Sequence, residues 1–552
     1  TMKVNNIQRK YLFVVGIIIL CGTALFAVSK ADIFKQVAVN QKLINDVYKY
    51  IVTNYADEID VEKFTRKSIR NILNDLDPFT VFMEPEEGEG IDLLTKGKYG
   101  GVGMEIGKRD GEITVVAPMA DSPTMRAGII SGDVIVKIDT VVAKDMNLND
   151  VARLIRGEKG TEVTLSIQRA GVDNVIKFTM IREDIKVKDV AYSGMLNDRI
   201  GYILLTRFSK NAAPGMKKAI DQLKEQKAEA IILDLRNNPG GLLQSSIEIL
   251  DMFLPKGEKL LSTKGRTKGS NRTFFSKKDP VIPSDIKVAI LINEGSASAS
   301  EIVSGAIQDL DRGVIIGRRS FGKGLVQSVY QLDEERRLKM TTAKYYIPSG
   351  RLIQNPEYID ENIIIDVSEQ DTLFATVKGR KVKGGGGIMP DYEVEVHKYG
   401  SLTRECLRQG ILFTYVQKRK QNYSSFDEVL ATENLIEEFY VYLKEQDLDI
   451  SIDGESNYND FKAKLSSIDS TNVELTSAFE IIDGFFVEKE ASLFDKESED
   501  IRKWLLAEFA NHYNGKEGRI QFTLQSDEYV EKAISILDDQ VAYRNVLRLE
   551  NE

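Results

Sequence analysis

Serine, lysine and glycine residues form three short turns that could carry nucleophilic chemistry. Residues 296–300 read Ser-Ala-Ser-Ala-Ser, residues 240–241 are both glycine, and Lys323 lies between two glycines. A serine hydroxyl becomes a good nucleophile only when a base takes its proton. The same serines could instead cap a helix, and the lysine could be an ordinary surface residue. Residue types alone therefore leave the chemistry open.

The groups that usually assist a nucleophile or bind a metal are scarce in this chain. His397 and His512 are the two histidines and lie in unrelated sequence contexts, so a Ser/His/Asp or Cys/His arrangement has little support. Cys21 and Cys406 are the two cysteines, which is too few for a Cys/His metal cage or a disulfide framework. We expect no metal and no cofactor.

The lysine turn also resembles a phosphate-binding loop at first sight. Residues 317–323 match Gly-x-x-x-x-Gly-Lys and follow a strand-like run. However, Gly324 stands where such a loop needs Ser or Thr for magnesium, and residues 325–330 alternate like a strand where a helix is required. We reject nucleotide hydrolysis on these grounds.

Apolar strand-like runs precede all three turns. Residues 230–235, 287–293 and 314–317 are nearly continuous apolar segments, and helical patterns follow the first two turns. An α/β fold binds ligands at the carboxyl ends of its strands, where helix N-termini stabilise negative charge. The pattern therefore predicts an α/β core with a site at these strand ends.

Residues 96–185 contain short strand-like runs separated by glycine turns, a pattern typical of a small β-rich module. The glycine turn at 101–104 and the segments 121–128 and 132–139 together resemble a PDZ domain. In that fold, backbone N–H groups of the turn bind the carboxylate of a peptide that adds as a strand to a sheet edge. A spacer with a degenerate groove is the alternative. The resemblance implies that the peptide is bound by Gly101, Val102, Gly103 and Met104.

The chain from about Tyr99 to Asp391 resembles the C-terminal processing peptidases, also called tail-specific proteases. Beyond the PDZ segments, the resemblance rests on the motifs at 234–241, 296–301, 322–327, 342–351 and 386–391. It implies a serine endopeptidase that cleaves proteins near their C-termini, with a crotonase- and Clp-protease-like α/β core and an inserted PDZ domain. It also implies three catalytic residues: Ser298 as nucleophile, Lys323 as general base and Gln327 as the group that orients the lysine.

The chemistry of lysine is compatible with these roles. An amine is a base only when neutral, and burial can lower the pKa of a lysine by several units from about 10.4. The neighbours of Lys323 are apolar, and no acidic residue lies within eight positions of it. For the oxyanion hole we predict the backbone N–H of Ser298 with that of Gly240 or Gly241.

The N-terminus and the charge distribution suggest a location and exclude some partners. Residues 11–28 form an uncharged apolar run behind a basic flank, which predicts a signal peptide or membrane anchor over 1–30 and an extracytoplasmic location in a bacterial periplasm. The net charge of -10 argues against nucleic acid as a partner. The one basic segment, residues 256–278, is interpreted as a solvated hairpin or loop rather than a nucleic-acid site.

The predicted organisation is multi-domain α/β. A helical region at 31–95 must bury its apolar stripes on the protein's own core or on a second subunit, so a homo-oligomer is possible. Two non-enzymatic functions stay open as alternatives: a catalytically silent PDZ-based tether, and a chaperone that holds protein tails without cutting them. The predicted boundaries are 1–30 for the signal or anchor, 31–95 for the helical region, 96–185 for the PDZ domain, 186–400 for the protease core and 401–552 for a mostly helical region.

Overall fold

The computed structural model describes residues 34–109, 111–356, 372–446, 454–468 and 472–549. It divides into two compact units, Thr1–Leu76 and Asp77–Glu552. The predicted signal or anchor segment, residues 1–30, lies outside the described residues. Among the residues that are described, no helix is both long and apolar enough to cross a bilayer.

The first unit contains two helices, α1 (34–54) and α2 (Val61–Asn74). The Asp60 carboxylate caps α2 by accepting a hydrogen bond from the N–H of Lys63 at 2.9 Å, as the sequence predicts. The Tyr48 and Phe64 rings pack with centroids 5.9 Å apart. No side chain of α2 is buried, so burial of its apolar face against a core or a second subunit stays a prediction.

The second unit begins with a short strand, a helix and the β-rich module. Strands β3 to β8 form one antiparallel sheet in the order β3-β4-β5-β7-β8, with β6 on β5, while β2 pairs with β9. Helix α5 covers the sheet and buries Val151 and Ile155. The elements are β1 (Val81–Met83), α3 (Pro85–Lys96), β2 (Lys98–Gly101), β3 (Met104–Arg109), β4 (Glu112–Pro118), α4 (Pro123–Ala127), β5 (Val134–Ile138), β6 (Val141–Val142), α5 (Leu148–Ile155), β7 (Glu162–Gln168), β8 (Ile176–Ile181) and β9 (Glu183–Lys186).

A six-stranded sheet forms the centre of the α/β core. Its order is β10-β11-β12-β15-β16-β21, and all neighbours are parallel except the edge pair β10–β11. Helices α6, α7 and α8 bury one face of this sheet. The elements are β10 (Val190–Met195), β11 (Ile200–Leu205), α6 (Ala212–Glu225), β12 (Ala230–Asp234), α7 (Leu243–Leu250), β15 (Lys287–Ile292), α8 (Ala299–Asp309), β16 (Val314–Gly317) and β21 (Tyr392–Glu393). The predicted strands before the three turns are thus confirmed.

An antiparallel sheet beside the core includes β17 and β18, which follow the lysine turn, and has the order β1-β18-β13-β14, with β17 also on β18. The basic segment 256–278 folds into the β13–β14 hairpin, which confirms the hairpin interpretation of its structure. The remaining elements of this region are β13 (Lys259–Lys264), β14 (Arg272–Phe275), β17 (Leu325–Gln331), β18 (Arg337–Tyr346), β19 (Leu373–Ala375) and β20 (Lys381–Lys383).

The C-terminal region is helical, as predicted. Helices α9 to α12 and α15 enclose a core of their own, whereas α16 and α17 cover the second face of the six-stranded sheet. The helices are α9 (Ser401–Gln409), α10 (Ile411–Arg419), α11 (Phe426–Leu430), α12 (Leu435–Lys444), α13 (Glu455–Ile468), α14 (Val473–Ala491), α15 (Leu493–Leu524), α16 (Glu528–Asp538) and α17 (Gln540–Val546).

Candidate active site

The three serines of the 296–300 turn differ in what their hydroxyls do. Ser296 Oγ donates to the carbonyl of Leu235 at 2.8 Å, and Ser300 Oγ donates to that of Asn238 at 2.9 Å. Both serines are fully buried. Ser298 is half-buried, and its hydroxyl donates no hydrogen bond to any described residue. Ser298 is therefore the serine of this turn that a substrate can reach.

The backbone of Ser298 is bent sharply where β15 leads into α8. Ser298 is the N-cap residue of α8 and has φ 54° and ψ -109°. Residues other than glycine rarely adopt this conformation. Such strain is typical of functional sites, where the surrounding structure holds the residue in place. The turn presents the serine at the positive end of the helix dipole.

The glycine turn after β12 packs directly against Ser298. Gly240 has φ 93°, and a Cβ added to it would lie 2.9 Å from Ser298 Cβ and 2.8 Å from the backbone nitrogen of Ala299. Any side chain at this position would collide with the turn that carries Ser298, so glycine is required there. The structure thus brings two of the sequence-predicted turns into contact.

Of the three predicted oxyanion donors, the N–H groups of Ser298 and Gly240 are occupied and that of Gly241 is free among the described residues. The Ser298 N–H donates to Glu301 Oε2 at 2.8 Å, and the Gly240 N–H donates to Asn238 Oδ1 at 2.9 Å. The N–H groups of Gly241 and Ala299 have no acceptor within the described residues. The sequence did not indicate that the side chains of Glu301 and Asn238 accept hydrogen bonds from the N–H groups of Ser298 and Gly240.

Side chains on both sides hold the glycine turn in place. Arg236 forms ion pairs with Asp234 at 2.5 Å and with Asp527, just before α16, at 2.9 Å. Asn238 Nδ2 donates to the carbonyl of Leu205 at 2.7 Å. The carbonyl of Asn238 accepts the N–H of Ala297 at 3.0 Å. The turn is therefore tied to the central sheet, the serine turn and the C-terminal region.

Lys323 is a half-buried lysine without a polar partner. Its Nζ forms no hydrogen bond or ion pair with any described residue, and it lies 4.4 Å from the ring centroid of Phe79. Burial lowers the pKa of Lys323 to about 8, helped by the positive charge of Lys339 and opposed by Asp77 and Glu301. About a tenth of this amine is therefore neutral at pH 7, and the fraction rises to about half near pH 8.

The Glu301 carboxylate connects the serine turn to the lysine turn. It is fully buried. Its Oε2 accepts the N–H of Ser298 at 2.8 Å and that of Lys323 at 2.9 Å, and its Oε1 accepts the N–H of Gly322 and the hydroxyl of Ser320, both at 2.6 Å. Burial raises the pKa of Glu301 to about 7, against these hydrogen bonds. One oxygen atom thus fixes the backbones of Ser298 and Lys323 beside each other.

Comparisons with known proteins identify the family of the chain. Residues 199–367 match peptidase family S41, residues 114–169 match a PDZ domain, and residues 402–537 match the C-terminal helical domain of probable PDZ-proteases. A carboxy-terminal-processing protease of Bartonella bacilliformis is 37% identical over 357 residues, which cover 63% of this chain and 80% of that protein. The chain belongs to peptidase family S41. It is a serine peptidase with a PDZ domain.

Other similar proteins include a second protease and a solved structure. The carboxy-terminal processing protease CtpA of Bacillus subtilis is 33% identical over 354 residues, covering 63% of this chain and 75% of that protein. The solved structure of a photosystem II D1 C-terminal processing protease is 27% identical, covers 63% of this chain and 85% of that chain, and has a TM-score of 0.35. The family assignment rests on the sequence relatives.

Within this S41 peptidase, Gln327 lies on β17 and contacts Thr341 across the sheet. Its Nε2 donates to Thr341 Oγ1 at 3.4 Å. Gln327 would share a face with Lys323 if both lay on one regular strand. Instead, Lys323 precedes β17 by two residues, and a β-bulge separates Val326 from Gln327. The role of Gln327 in orienting the amine stays a prediction.

The PDZ turn has the geometry that carboxylate binding needs. The N–H groups of Val102 and Gly103 have no acceptor within the described residues, and Gly103 has φ 76°. A Cβ added to Gly103 would lie 2.5 Å from Ser122 Cβ. Strand β3, which starts at Met104, pairs only with β4 in the described sheet, so its other edge can accept a peptide strand. Gly101 ends β2 and pairs with β9.

His397 lies just before α9, and His512 lies in α15. His397 Nε2 contacts Asp500 Oδ2 at 2.7 Å, and the His512 ring packs on Tyr513 with centroids 4.8 Å apart. No contact within the described chain connects either histidine to Ser298 or Lys323. The arrangement gives no histidine to the candidate site.

Proposed function

We propose that this peptidase cleaves protein substrates near their C-termini, with Ser298 as nucleophile and Lys323 as general base. One observation carries the proposal: Glu301 Oε2 holds the N–H groups of both residues, while the Lys323 amine itself has no polar partner in the described chain. The buried amine can therefore be neutral and lies beside the turn of the one accessible serine.

The reaction follows acyl-enzyme chemistry. The neutral Lys323 amine takes the proton of Ser298 Oγ as the oxygen attacks the scissile carbonyl carbon. The resulting oxyanion accepts hydrogen bonds from the free N–H groups of Gly241 and Ala299, of which the second belongs to the residue after the nucleophile. The Lys323 ammonium then gives its proton to the leaving amine. Water hydrolyses the ester, with the lysine again acting as base.

The test is cleavage of an unstructured protein by full-length variants. Ser298→Ala, Lys323→Ala and Lys323→Arg should each lower kcat by at least about a thousandfold, because a guanidinium cannot accept a proton at accessible pH. Lys264→Arg is the matched control, since Lys264 also lies 4.4 Å from an aromatic ring, that of Tyr346. Substantial activity in Lys323→Arg would refute the base. Tail binding without cleavage by the wild type would instead favour a tether or a chaperone.

We propose that the PDZ domain selects substrates by their free C-terminal carboxylate. The unpaired N–H groups of Val102 and Gly103 support this role, because they are suited to binding an anion. In the full-length Ser298→Ala variant, a peptide with an amidated C-terminus should bind more weakly than the free acid, and apolar terminal residues should bind best. Equal affinity for the two peptides in a titration would count against carboxylate recognition.

We also propose that the chain acts outside the bacterial cytoplasm, in the periplasm, as a membrane-anchored or released protein. The support is the order of basic flank, apolar run and polar exit within residues 1–30. Fractionation of cells expressing the chain, with mass spectrometry of its N-terminus, tests this location. An intact N-terminus in the membrane fraction indicates an anchor, a shortened one indicates a signal peptide, and an intact soluble cytoplasmic protein rejects the proposal.

A further inference from the structure

The turn formed by residues 77–80 lies against the base but outside the stretch that matches the peptidase family, residues 199–367. It precedes β1, which pairs with β18 so that Val81 lies opposite Lys339. This turn is separated in sequence from every other part of the candidate site. The contacts of this turn are therefore not part of the match to the peptidase family.

The conformation of the 77–80 turn is fixed by its own side chains. The buried Asp77 carboxylate accepts the N–H of Phe79 at 3.0 Å and the hydroxyl of Thr80 at 2.8 Å. Thr80 Oγ1 in turn accepts the N–H of Thr341 on β18 at 3.1 Å. Thr341 is also the residue that Gln327 contacts. The turn is thus locked onto the strand next to the lysine.

The Phe79 ring covers the amine of Lys323. Its centroid lies 4.4 Å from Lys323 Nζ, and it also packs edge-on against the Phe321 ring with centroids 6.5 Å apart. The ring excludes water from this side of the amine, which favours the neutral form. Its π face attracts the ammonium, which favours the charged form. The two effects oppose each other and can be separated by substitution.

The charged groups that face Lys323 come from three elements. Lys339 on β18 lowers its pKa, whereas Asp77 in the turn and Glu301 on α8 raise it. Asp77 therefore provides a negative charge that partly cancels the effect of Lys339. The 77–80 turn supplies both an apolar cover and a counter-charge to the same amine.

We propose that the 77–80 turn is a positioning element for the general base: Phe79 shields and holds the Lys323 amine, and Asp77 fixes the turn that carries Phe79. The proposal rests on the proposed role of Lys323. It makes the reactivity of the base depend on a segment that lies next to the N-terminal helices in sequence.

The test compares Phe79→Leu, Phe79→Ala and Asp77→Asn in the full chain, by the pH dependence of kcat on a peptide substrate. Leucine keeps the cover but removes the π face, so the midpoint should fall by about half to one pH unit. Alanine admits water, so the midpoint should rise. Asp77→Asn removes a negative charge, so the midpoint should fall. KM should change little in all three variants, because the turn acts on the base.

Two controls keep the outcomes distinct. Tyr440→Leu removes a ring that lies 4.2 Å from Lys444 Nζ in α12, and it should leave the midpoint unchanged. In the Ser298→Ala background, the pH dependence of chemical acetylation of Lys323, followed by mass spectrometry, reports the amine without requiring activity. Thermal unfolding identifies any variant that does not fold.

The outcomes separate this proposal from the one on which it rests. If Lys323→Arg is inactive but the Phe79 variants keep the wild-type midpoint, or shift it in the same direction, the positioning role of the turn is wrong and the base assignment stands. If Lys323→Arg remains active, the assignment of the base itself fails. Opposite shifts for leucine and alanine, seen in both kcat and acetylation, support the turn.

Discussion

Among the described residues, buried charged groups have ionic partners at one end of helix α8 and lack them at the other. At the C-terminal end, Asp309 pairs with Arg351 at 2.8 Å, and Arg380 pairs with Asp311 at 2.5 Å and Asp391 at 2.6 Å. At the N-terminal end, Glu301 is bound only by uncharged donors among the described residues, and Lys323 has no polar partner there. The same helix connects a cluster of paired ions to a site of unpaired ones.

The difference separates structural charges from chemical ones. An opposite partner offsets part of the loss of hydration: burial raises the pKa of Asp309, and the charge of Arg351 works against that rise. Without such a partner, burial moves the pKa of Glu301 up to about 7 and that of Lys323 down to about 8. Groups that titrate near neutral pH can exchange protons during a reaction. The comparison predicts that the C-terminal end determines stability and the N-terminal end determines rate.

The largest effect is expected from breaking the paired end. Arg351→Met leaves the Asp309 carboxylate buried without its ion, which should lower the free energy of unfolding by about 3–5 kcal/mol. Chemical denaturation measures the loss. The pH midpoint of kcat in the folded fraction should stay at the wild-type value. A shifted midpoint with unchanged stability would contradict the division between the two ends.

Glu301→Gln should have the next largest effect and tests the unpaired end. The amide places an NH₂ group where two N–H donors need an acceptor, so the serine and lysine turns should separate and kcat should fall by about a hundredfold. Steady-state kinetics on a peptide measures the fall. Gln308→Glu, at the other end of α8, is a control in which kcat should be far less affected. Near wild-type kcat for Glu301→Gln would show that the shared carboxylate does not position the site.

Gln327→Ala should reduce kcat by about tenfold with little change in KM, because loss of a neutral neighbour misorients the amine without changing its charge. The pH midpoint should stay in place. A fall confined to KM would indicate that Gln327 contacts substrate instead of the base.

The pH dependence of wild-type activity is the smallest of these expected effects, and it tests the general base most directly. Activity should rise as pH increases through about 8, since only the neutral form of Lys323 accepts the proton. Replacing His397 and His512 by glutamine should not change this profile. Loss of turnover and of the alkaline rise in that double variant would overturn the Ser/Lys mechanism.

The pKa shift of Glu301 also predicts a change of stability with pH. Its folded pKa of about 7 lies above the unfolded value of 4.5, so the stability that it contributes in acid should be lost as pH rises through that window. Denaturation of wild type and Glu301→Gln across this range measures the difference. Identical slopes for the two proteins would argue that Glu301 has no raised pKa.

Local patterns in the sequence were sufficient to predict the elements that carry the site. The apolar strands predicted that the three turns meet at one edge of a parallel sheet, whereas the choice of Ser298 and Lys323 within those turns came from the family resemblance. Glu301 was missed although Ser-x-x-Glu at 298–301 is the spacing of a capping box, a signal that could have pointed to it. The free N–H groups were not predictable, since a hydrogen-bond direction depends on how Asn238 and Glu301 fold back.

Long-range contacts were beyond sequence reasoning. Phe79 and Lys323 lie in separate segments, and nothing in either segment indicates the other, because their contact depends on the pairing of β1 with β18. The position of Gln327 was affected by a β-bulge, which inserts an extra residue and changes which face the following side chains occupy. One irregular residue was enough to alter the expected alignment with Lys323.

The positive φ of Ser298 lowers stability at the same residue that carries the proposed nucleophile. Glycine reaches φ 54° and ψ -109° without the crowding that a Cβ causes. A lineage no longer selected for proteolysis would therefore gain stability by drifting to glycine at 298, and would lose its nucleophile in the same step. Serine at 298 thus has a cost in backbone stability that glycine would not have, and the proposed nucleophilic role of its hydroxyl would offset that cost.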